Sequence, residues 1–499
     1  MAERKHIHLS GICGTAMASL AGLLREKGCR VTGSDAAAYP PMSDLLREMG
    51  VPVAQPYAEA NLDAKPGQPG PDLVVIGNAL SRGNPEVERL LDSQSTVKRI
   101  PFTSMAAVLH EEFLAGRETL VVAGTHGKTT TTSMLAWIYQ TASHENPALE
   151  PSFLIGGVAE NFGTSYQLRP THTFLLEGDE YDTAFFDKGP KFLHYFPDGL
   201  ILTSVEFDHA DIYADLEAVK LAFKRLVNLI PRAGVIVAYD GSSNVTECVS
   251  HALCRVERYG FTEGADWRIE NLRHEDGKSL WEVHHAGALW AELEMLVAGE
   301  HNVLNATAAA ALAANHGVPV AAIKAALASF RSVKRRLEVR AVIDGVTIID
   351  DFAHHPTAIR ETLRALRQVY PAANGTTGRL WAVLEPRSNT LRRNVFQREL
   401  VDSLALADRV ILDAVYQQQR IPEGERLHPE QVIAALNAQG TPAELCADVA
   451  AIVDSLNRQL QPGDVVAILS NGGFDGIYEK LPACLAQRSA LIPGALART

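Results

Sequence analysis

Apolar residues along this chain fall into short runs separated by stretches of helical periodicity. Runs at 6–9, 30–33 and 73–76 predict strands, with a helix over 17–27 between the first two. Runs at 118–123, 173–176 and 200–203 predict a second set, and Met134, Leu135 and Ile138 place a helix behind the first of them. An Ala-rich stretch over 302–315 reads as a further helix. Residues 346–349, 380–384, 409–412 and 465–469 form a third set of strands. Strands alternating with helices imply parallel sheets, so the predicted fold class is α/β. The expected division is 1–112, 113–330 and 331–499. Pro- and Gly-containing stretches at 65–71 and 371–378 read as surface connections, and the basic segment 332–340 as a linker into the third domain.

The length, 499 residues, suits about three domains. With 46 Lys and Arg against 59 Asp and Glu, the net charge of −13 disfavours nucleic acid and anionic membranes as partners. An anionic substrate therefore needs a locally basic site. The six cysteines form no C-x-x-C pair, which fits reduced thiols in a cytoplasm. No apolar run reaches the ~18 residues of a spanning helix, and the first residues lack a signal-peptide core. A soluble, cytoplasmic protein is expected.

The sharpest chemical signal is Gly124-Thr125-His126-Gly127-Lys128-Thr129-Thr130, a small-residue turn between a predicted strand and helix. Backbone N–H groups of such a turn, with the helix N-terminus, cradle anionic oxygens. Lys128 suits the β- and γ-phosphates of ATP, and the Thr129 hydroxyl suits Mg²⁺. Val122 stands where the full phosphate-loop pattern has its first Gly. Glu177-Gly178-Asp179-Glu180-Tyr181-Asp182 and Glu206-Phe207-Asp208-His209 follow the next two predicted strands, so acids and an imidazole are expected beside the loop. A second glycine turn, Gly11-Ile12-Cys13-Gly14-Thr15-Ala16-Met17, has Cys13 in place of the middle Gly of a dinucleotide fingerprint. Asp35, after Ser34, lies 24 residues beyond Gly11, near ribose-binding distance.

GTHGKTT (124–130), EGDEYD (177–182), EFDHAD (206–211), GEHNVLNA (299–306) and DDFAHHP (350–356) stand in the order found in Mur ligases, and the chain resembles that family over all three domains. The resemblance implies a UDP-binding Rossmann-like domain, a central P-loop ATPase and a C-terminal Rossmann-like domain that binds the amine substrate. It implies ATP-driven activation of a carboxylate to an acyl phosphate, followed by amine attack. Both steps gather negative charge, so fixed cations and N–H donors are the main device. By resemblance, Lys128 holds the γ-phosphate, Thr129 and Glu177 bind one Mg²⁺, and His209 binds a second. His301, Asn302 and Asn305 serve the nucleotide. Arg335 reaches the phosphates on domain closure, Asp351 binds the ribose, and His354 lies near the phosphates. The first glycine turn becomes a UDP-sugar site of Gly11, Cys13, Gly14, Thr15 and Met17, with Ser34, Asp35 and Asn78. Some members carry a carbamylated lysine; Lys220 and Lys224 lie in the right stretch, but neither spacing matches.

The N-terminal turn and HHP resemble the branch that uses UDP-N-acetylmuramate. Two acceptors then compete: L-alanine, and the tripeptide L-alanyl-γ-D-glutamyl-meso-diaminopimelate of peptidoglycan recycling. The alanine branch has HRYTR where this chain has Arg387-Ser388-Asn389-Thr390, after Glu385-Pro386, and Tyr181 replaces an expected Ser. SNGGFDGIY (470–478) also favours the tripeptide form. A peptide with three carboxylates needs a wide cleft with polar donors, which Arg387 to Thr390 supply. A regulatory module that binds or hydrolyses ATP as a switch would need the phosphate loop but neither the UDP turn nor the third-domain motifs.

Overall fold

The computed structural model describes residues 4–38, 42–64, 69–97, 99–275, 277–370 and 378–491. Most of the expected connection at 371–378 and part of that at 65–71 lie outside them.

The first sheet contains β1 (His6–Ser10), β2 (Arg30–Ser34), β3 (Val53–Ala54), β4 (Leu73–Ile76) and β5 (Phe102–Ser104), ordered β3-β2-β1-β4-β5. All its pairings are parallel. Ser10 pairs with both Ser34 and Ile76, so the loops at Gly11, Asp35 and Gly77 leave the sheet side by side. This is the crevice where the strand order reverses, the usual ligand position of open α/β sheets.

The second sheet holds β6 (Glu118–Ala123), β7 (Ser152–Ala159), β8 (Thr164–Gln167), β9 (Thr173–Gly178), β12 (Gly199–Leu202), β13 (Val235–Tyr239), β14 (Arg255–Gly260), β15 (Trp267–Glu275), β16 (Lys278–His285) and β17 (Ala288–Met295). Between β9 and β12 the acidic segment folds into a small hairpin, β10 (Asp182–Ala184) and β11 (Asp187–Pro190). The order β17-β16-β15-β14-β13-β12-β6-β9-β7-β8 is parallel from β15 to β7, with antiparallel edges. Ala123 pairs with Gly178 and Leu202, so both acidic segments flank the phosphate loop. Two of the described helices, Lys128–Ala142 and Glu300–Asn315, pack on one face through Met134, Leu135, Ile138 and the alanines 306 and 308–311. Small alanines let the helix backbone approach closely.

The third sheet runs β18 (Glu338–Ile343), β19 (Val346–Asp351), β23 (Val465–Leu469), β20 (Leu380–Leu384), β21 (Arg409–Asp413) and β22 (Ala443–Cys446) in that spatial order, with only β18 antiparallel. The last three residues of the expected linker, 338–340, therefore belong to strand β18. It forms a hairpin with β19 through Asp344-Gly345, whose Gly takes φ 74. Leu469 pairs with Asp351 and Leu384, which gathers the loops after β19, β20 and β23 at one end.

The first domain is seated on the second. Tyr166 of β8 packs over Gly22, where an added Cβ would lie 2.1 Å from the ring. Ser19 and Ser165 share a 2.7 Å hydrogen bond. Among the described residues, no helix is long and apolar enough to cross a membrane.

Candidate active site

The phosphate loop leaves β6 through Gly124 (φ 136) and enters the helix through Gly127 (φ 80), backbone that favours glycine. Thr203 and Ser204, after β12, brace it: Thr203 donates to the His126 carbonyl at 2.6 Å, and His126 N donates to Ser204 Oγ at 2.9 Å. Lys128 Nζ donates to the Gly124 carbonyl and to Glu180 Oε2, both at 2.8 Å. Burial opposes the Lys128 charge, but Glu180, Asp179 and Glu177 outweigh it and raise its pKa. Thr129 donates to Glu177 Oε2 at 3.1 Å. Desolvation, with Asp179 nearby, raises Glu177 to about 7.

Glu180 was given no role by sequence, yet it links the site. It is 3% exposed, and its second oxygen lies 3.1 Å from His209 Nε2. Burial penalises its charge, but Lys128 and His209 overcome that and hold it at about 2. His209 takes φ 56 and reaches the site through this carboxylate, not through the Thr129–Glu177 pair.

The third domain closes over these groups. Thr390 donates to buried Asp208, whose carboxyl is desolvated yet held ionised by His209 and by the Thr390 hydrogen bond. Asn389 donates to Asp211 at 2.7 Å, and Thr357 to Glu206 at 2.7 Å. Two cavities flank the closure. One, of about 400 Å³, is lined by His126, Gly127, Thr130, His301, Asn302, Asn305, Arg336 and Asp351, among others. His301 has an unpartnered Nδ1, and desolvation lowers its pKa to about 4. Asn302 donates to the Ala298 carbonyl at 2.7 Å. Asp351 accepts from Leu337 N, Ala353 N and Thr362, so its carboxylate already fixes the pocket wall.

One expectation is corrected here. The Arg335 guanidinium does not line this cavity: Asp350, the Ser470 carbonyl (2.7 Å) and Tyr478 (2.9 Å) hold it within the third domain. Arg335 takes φ 63, and the following side chain, Arg336, faces the nucleotide pocket. Burial works against the Arg336 charge, and Asp351 and Glu177 support it. His354 stands within electrostatic reach of Arg336 and of His126 in the phosphate loop. It lines the second cavity, with burial lowering its pKa and Asp208 opposing that shift.

That second cavity, about 240 Å³, is bounded by Tyr181, Asp208, His209, Arg387, Ser388, Asn389, Thr390, Arg392 and Tyr416, among others. Arg387 lies 4.0 Å above the Tyr416 ring and pairs with Glu385 at 3.2 Å. Arg392 is 9% exposed; it reaches the Asn389 side chain and the Tyr416 carbonyl, and its Nε has no partner. Lys220 and Lys224 both pair with Glu247 on the neighbouring helix.

In the first domain, Gly11 N and Ile12 N donate to the Ser34 carbonyl, and Cys13 N donates to Asp35 at 2.8 Å. Asp35 thus shapes the turn. Gly14 opens the helix Thr15–Glu26 without a side-chain cap, leaving first-turn N–H groups for an anion; Met17 is buried below. Ser34 donates to fully buried Glu86, which also accepts from Ser10 and Asn61. Desolvation penalises Glu86, but these bonds and His8 hold it at about 2. Asn78 is exposed, just beyond Gly77, whose Cα lies beside Gly11.

Family models for the Mur ligase catalytic domain, middle domain and glutamate ligase domain match residues 6–115, 122–313 and 335–472. An Escherichia coli (strain K12) protein named UDP-N-acetylmuramate–L-alanyl-γ-D-glutamyl-meso-2,6-diaminoheptandioate ligase is 43% identical over 97% of this chain and 99% of its own length. The chain belongs to the Mur ligase family. A Haemophilus influenzae relative of the same name is 40% identical over 96% of this chain and 98% of its own. The crystal structure of a murein peptide ligase from Psychrobacter arcticus 273-4 matches with a TM-score of 0.71 and 36% identity, covering 97% of this chain and 99% of that one. As a Mur ligase, the chain has the family's three-domain α/β architecture.

Proposed function

We propose that this chain is a cytoplasmic, ATP-dependent ligase joining the lactyl carboxylate of UDP-N-acetylmuramate to the amine of L-alanyl-γ-D-glutamyl-meso-diaminopimelate, through an acyl phosphate, in peptidoglycan recycling. The near-full-length likeness to ligases named for that tripeptide supports the reading. The observation that carries it is the second cavity: a buried guanidinium, Arg392, in no ion pair among the described residues, beside Arg387 and next to Asp208 and His209. Such a pocket suits an acceptor bearing several carboxylates.

Residues 1–112 take the UDP-sugar, with its diphosphate at the Gly11–Thr15 turn. Residues 113–330 take ATP, and 331–499 present the amine. Lys128 exchanges Glu180 for phosphate oxygens when nucleotide binds. Arg336, with the loop N–H groups, meets the charge that builds during transfer. Burial and the neighbouring Asp179 carboxylate push Glu177 up, a surplus of negative charge that fits a divalent cation held by Thr129 and Glu177. Bound there, Mg²⁺ would supply Lewis-acid neutralisation of phosphate charge. The Asn389–Asp211 and Thr390–Asp208 bonds hold the third domain closed and keep water from the reactive intermediate.

The test is phosphate release from ATP with Mg²⁺ and UDP-N-acetylmuramate, with tripeptide in one reaction and L-alanine in the other. Release with tripeptide alone is expected. Release with alanine alone would overturn the acceptor, and release needing neither would favour a nucleotide switch.

A further inference from the structure

The wall between the nucleotide pocket and the third domain carries a side-chain cluster that the proposed ligase chemistry does not call on as metal ligands. His126 comes from the phosphate loop, Glu206 from the segment after β12, and His355 from the loop after β19. Their ligating atoms all lie within 4.8 Å of one another. Glu206 Oε2 is 3.4 Å from His126 Nε2 and 3.8 Å from His355 Nδ1, and the two rings are 4.7 Å apart.

We propose that His126, Glu206 and His355 form a binding site for a borderline divalent transition metal of the Zn²⁺ class, assembled when the central and C-terminal domains close.

The donor set argues for that class. Two imidazoles and a carboxylate suit Zn²⁺, Co²⁺ or Ni²⁺, whereas Mg²⁺ prefers oxygens. The proton positions also suit it. His355 Nε2 faces the Phe207 carbonyl at 3.3 Å, which places its proton there and turns the Nδ1 lone pair towards Glu206. That lone pair now accepts only a long 3.3 Å bond from Thr357 N. Burial lowers His355 to about 4, so its imidazole is neutral at neutral pH, the form that ligates. Glu206 is desolvated yet kept ionised, at about 2, by His126 and Thr357. Other charged or titratable neighbours of His355 are Asp208 and His354.

Two ligands belong to the central domain and one to the C-terminal domain. The metal therefore binds the closed arrangement alone and shifts the population towards it. His126 and Glu206 also line the nucleotide pocket, so the bound metal slows turnover until a chelator removes it.

The experiment is a Co²⁺ titration of the full-length protein in excess Mg²⁺ without nucleotide, followed by visible absorption. His355→Asn is the chosen variant, because Asn keeps the N-cap acceptor of the helix Pro356–Val369 and removes the imidazole. Wild type is expected to give the intense bands of four- or five-coordinate Co²⁺. The variant should bind more weakly than the ~10–100-fold loss that outer-shell changes alone cause. Unchanged affinity in a folded His355→Asn protein would overturn the proposal. X-ray absorption of Zn²⁺-loaded wild type decides without any variant: two imidazole ligands are expected, and an all-oxygen shell would overturn the site.

Discussion

Replacing Lys128 by Met leaves Glu180 buried without its cation, and the outcome separates a structural pair from a catalytic lysine. The two side chains are 12% and 3% exposed and 2.8 Å apart. Removing one member of a buried pair costs ~3–5 kcal/mol. His209 stays 3.1 Å from the other Glu180 oxygen, which places the loss near ~3 kcal/mol. For a domain of this size that lowers its melting transition by ~6–12 °C. Lys128→Met with Glu180→Gln removes both charges and should regain most of the stability, while phosphate release stays absent in both proteins. The sign with pH follows from Glu180, whose pKa falls from 4.5 to about 2 on folding. Its stabilisation is complete above 4.5 and lost as pH falls towards 2, so the gap between wild type and Lys128→Met narrows over that range. Calorimetry and denaturant unfolding of the three proteins across pH measure this. A double variant no more stable than Lys128→Met, or a gap independent of pH, would refute the reasoning.

Arg392→Met should raise the tripeptide KM by ~10–100-fold with a smaller change in kcat, since a charge-assisted hydrogen bond contributes ~1.5–3 kcal/mol; steady-state kinetics with varied tripeptide checks it. Arg335→Ala should lower the melting temperature through loss of its Asp350, Ser470 and Tyr478 bonds, whereas Arg336→Ala should lower kcat with little change in stability; melting curves beside kinetics separate the two. Gly127→Ala forces a side chain into φ 80 and to within 2.7 Å of Asn305 Oδ1. At least ~1–2 kcal/mol of strain should appear as roughly tenfold weaker ATP binding by calorimetry.

Parallel strands in each of the three sheets were legible where they form continuous apolar runs, whereas β3, β5, β7, β13, β14 and β22 were not read from the sequence. The runs at 118–123, 173–176 and 200–203 became β6, β9 and β12, and their pairing put both acidic segments against the phosphate loop. The antiparallel extension β15–β17 was missed. Its alternating, half-exposed residues, such as Trp281-Glu282-Val283-His284, carry no continuous apolar signal. Segment 332–340 was read as a linker because of its charge, yet its edge strand β18 pairs on only one side, through backbone bonds that side-chain composition does not report.

Motif residues locate the site, but a motif does not say which of two neighbouring side chains faces a pocket. Arg335 and Arg336 are chemically identical in sequence, and the positive φ at Arg335 decides between them; of His354 and His355, the first lines the second cavity and the other packs against His126. Glu180 shows the complementary failure. Within Glu177–Asp182 any carboxylate could have been the partner of Lys128, and the choice is made by strand length. β9 continues through Gly178, which fixes Glu177 beside Thr129 and leaves Glu180, after the strand, to reach both Lys128 and His209. The two carboxyls then separate, one held at about 2 by its cations and the other raised to about 7 by desolvation and Asp179. In the free enzyme one acid therefore occupies the lysine while the other awaits a cation. Nucleotide would draw Lys128 from Glu180 and leave that acid short of a cation as well, so a metal bound beside these carboxylates would favour nucleotide binding, and the two would be coupled.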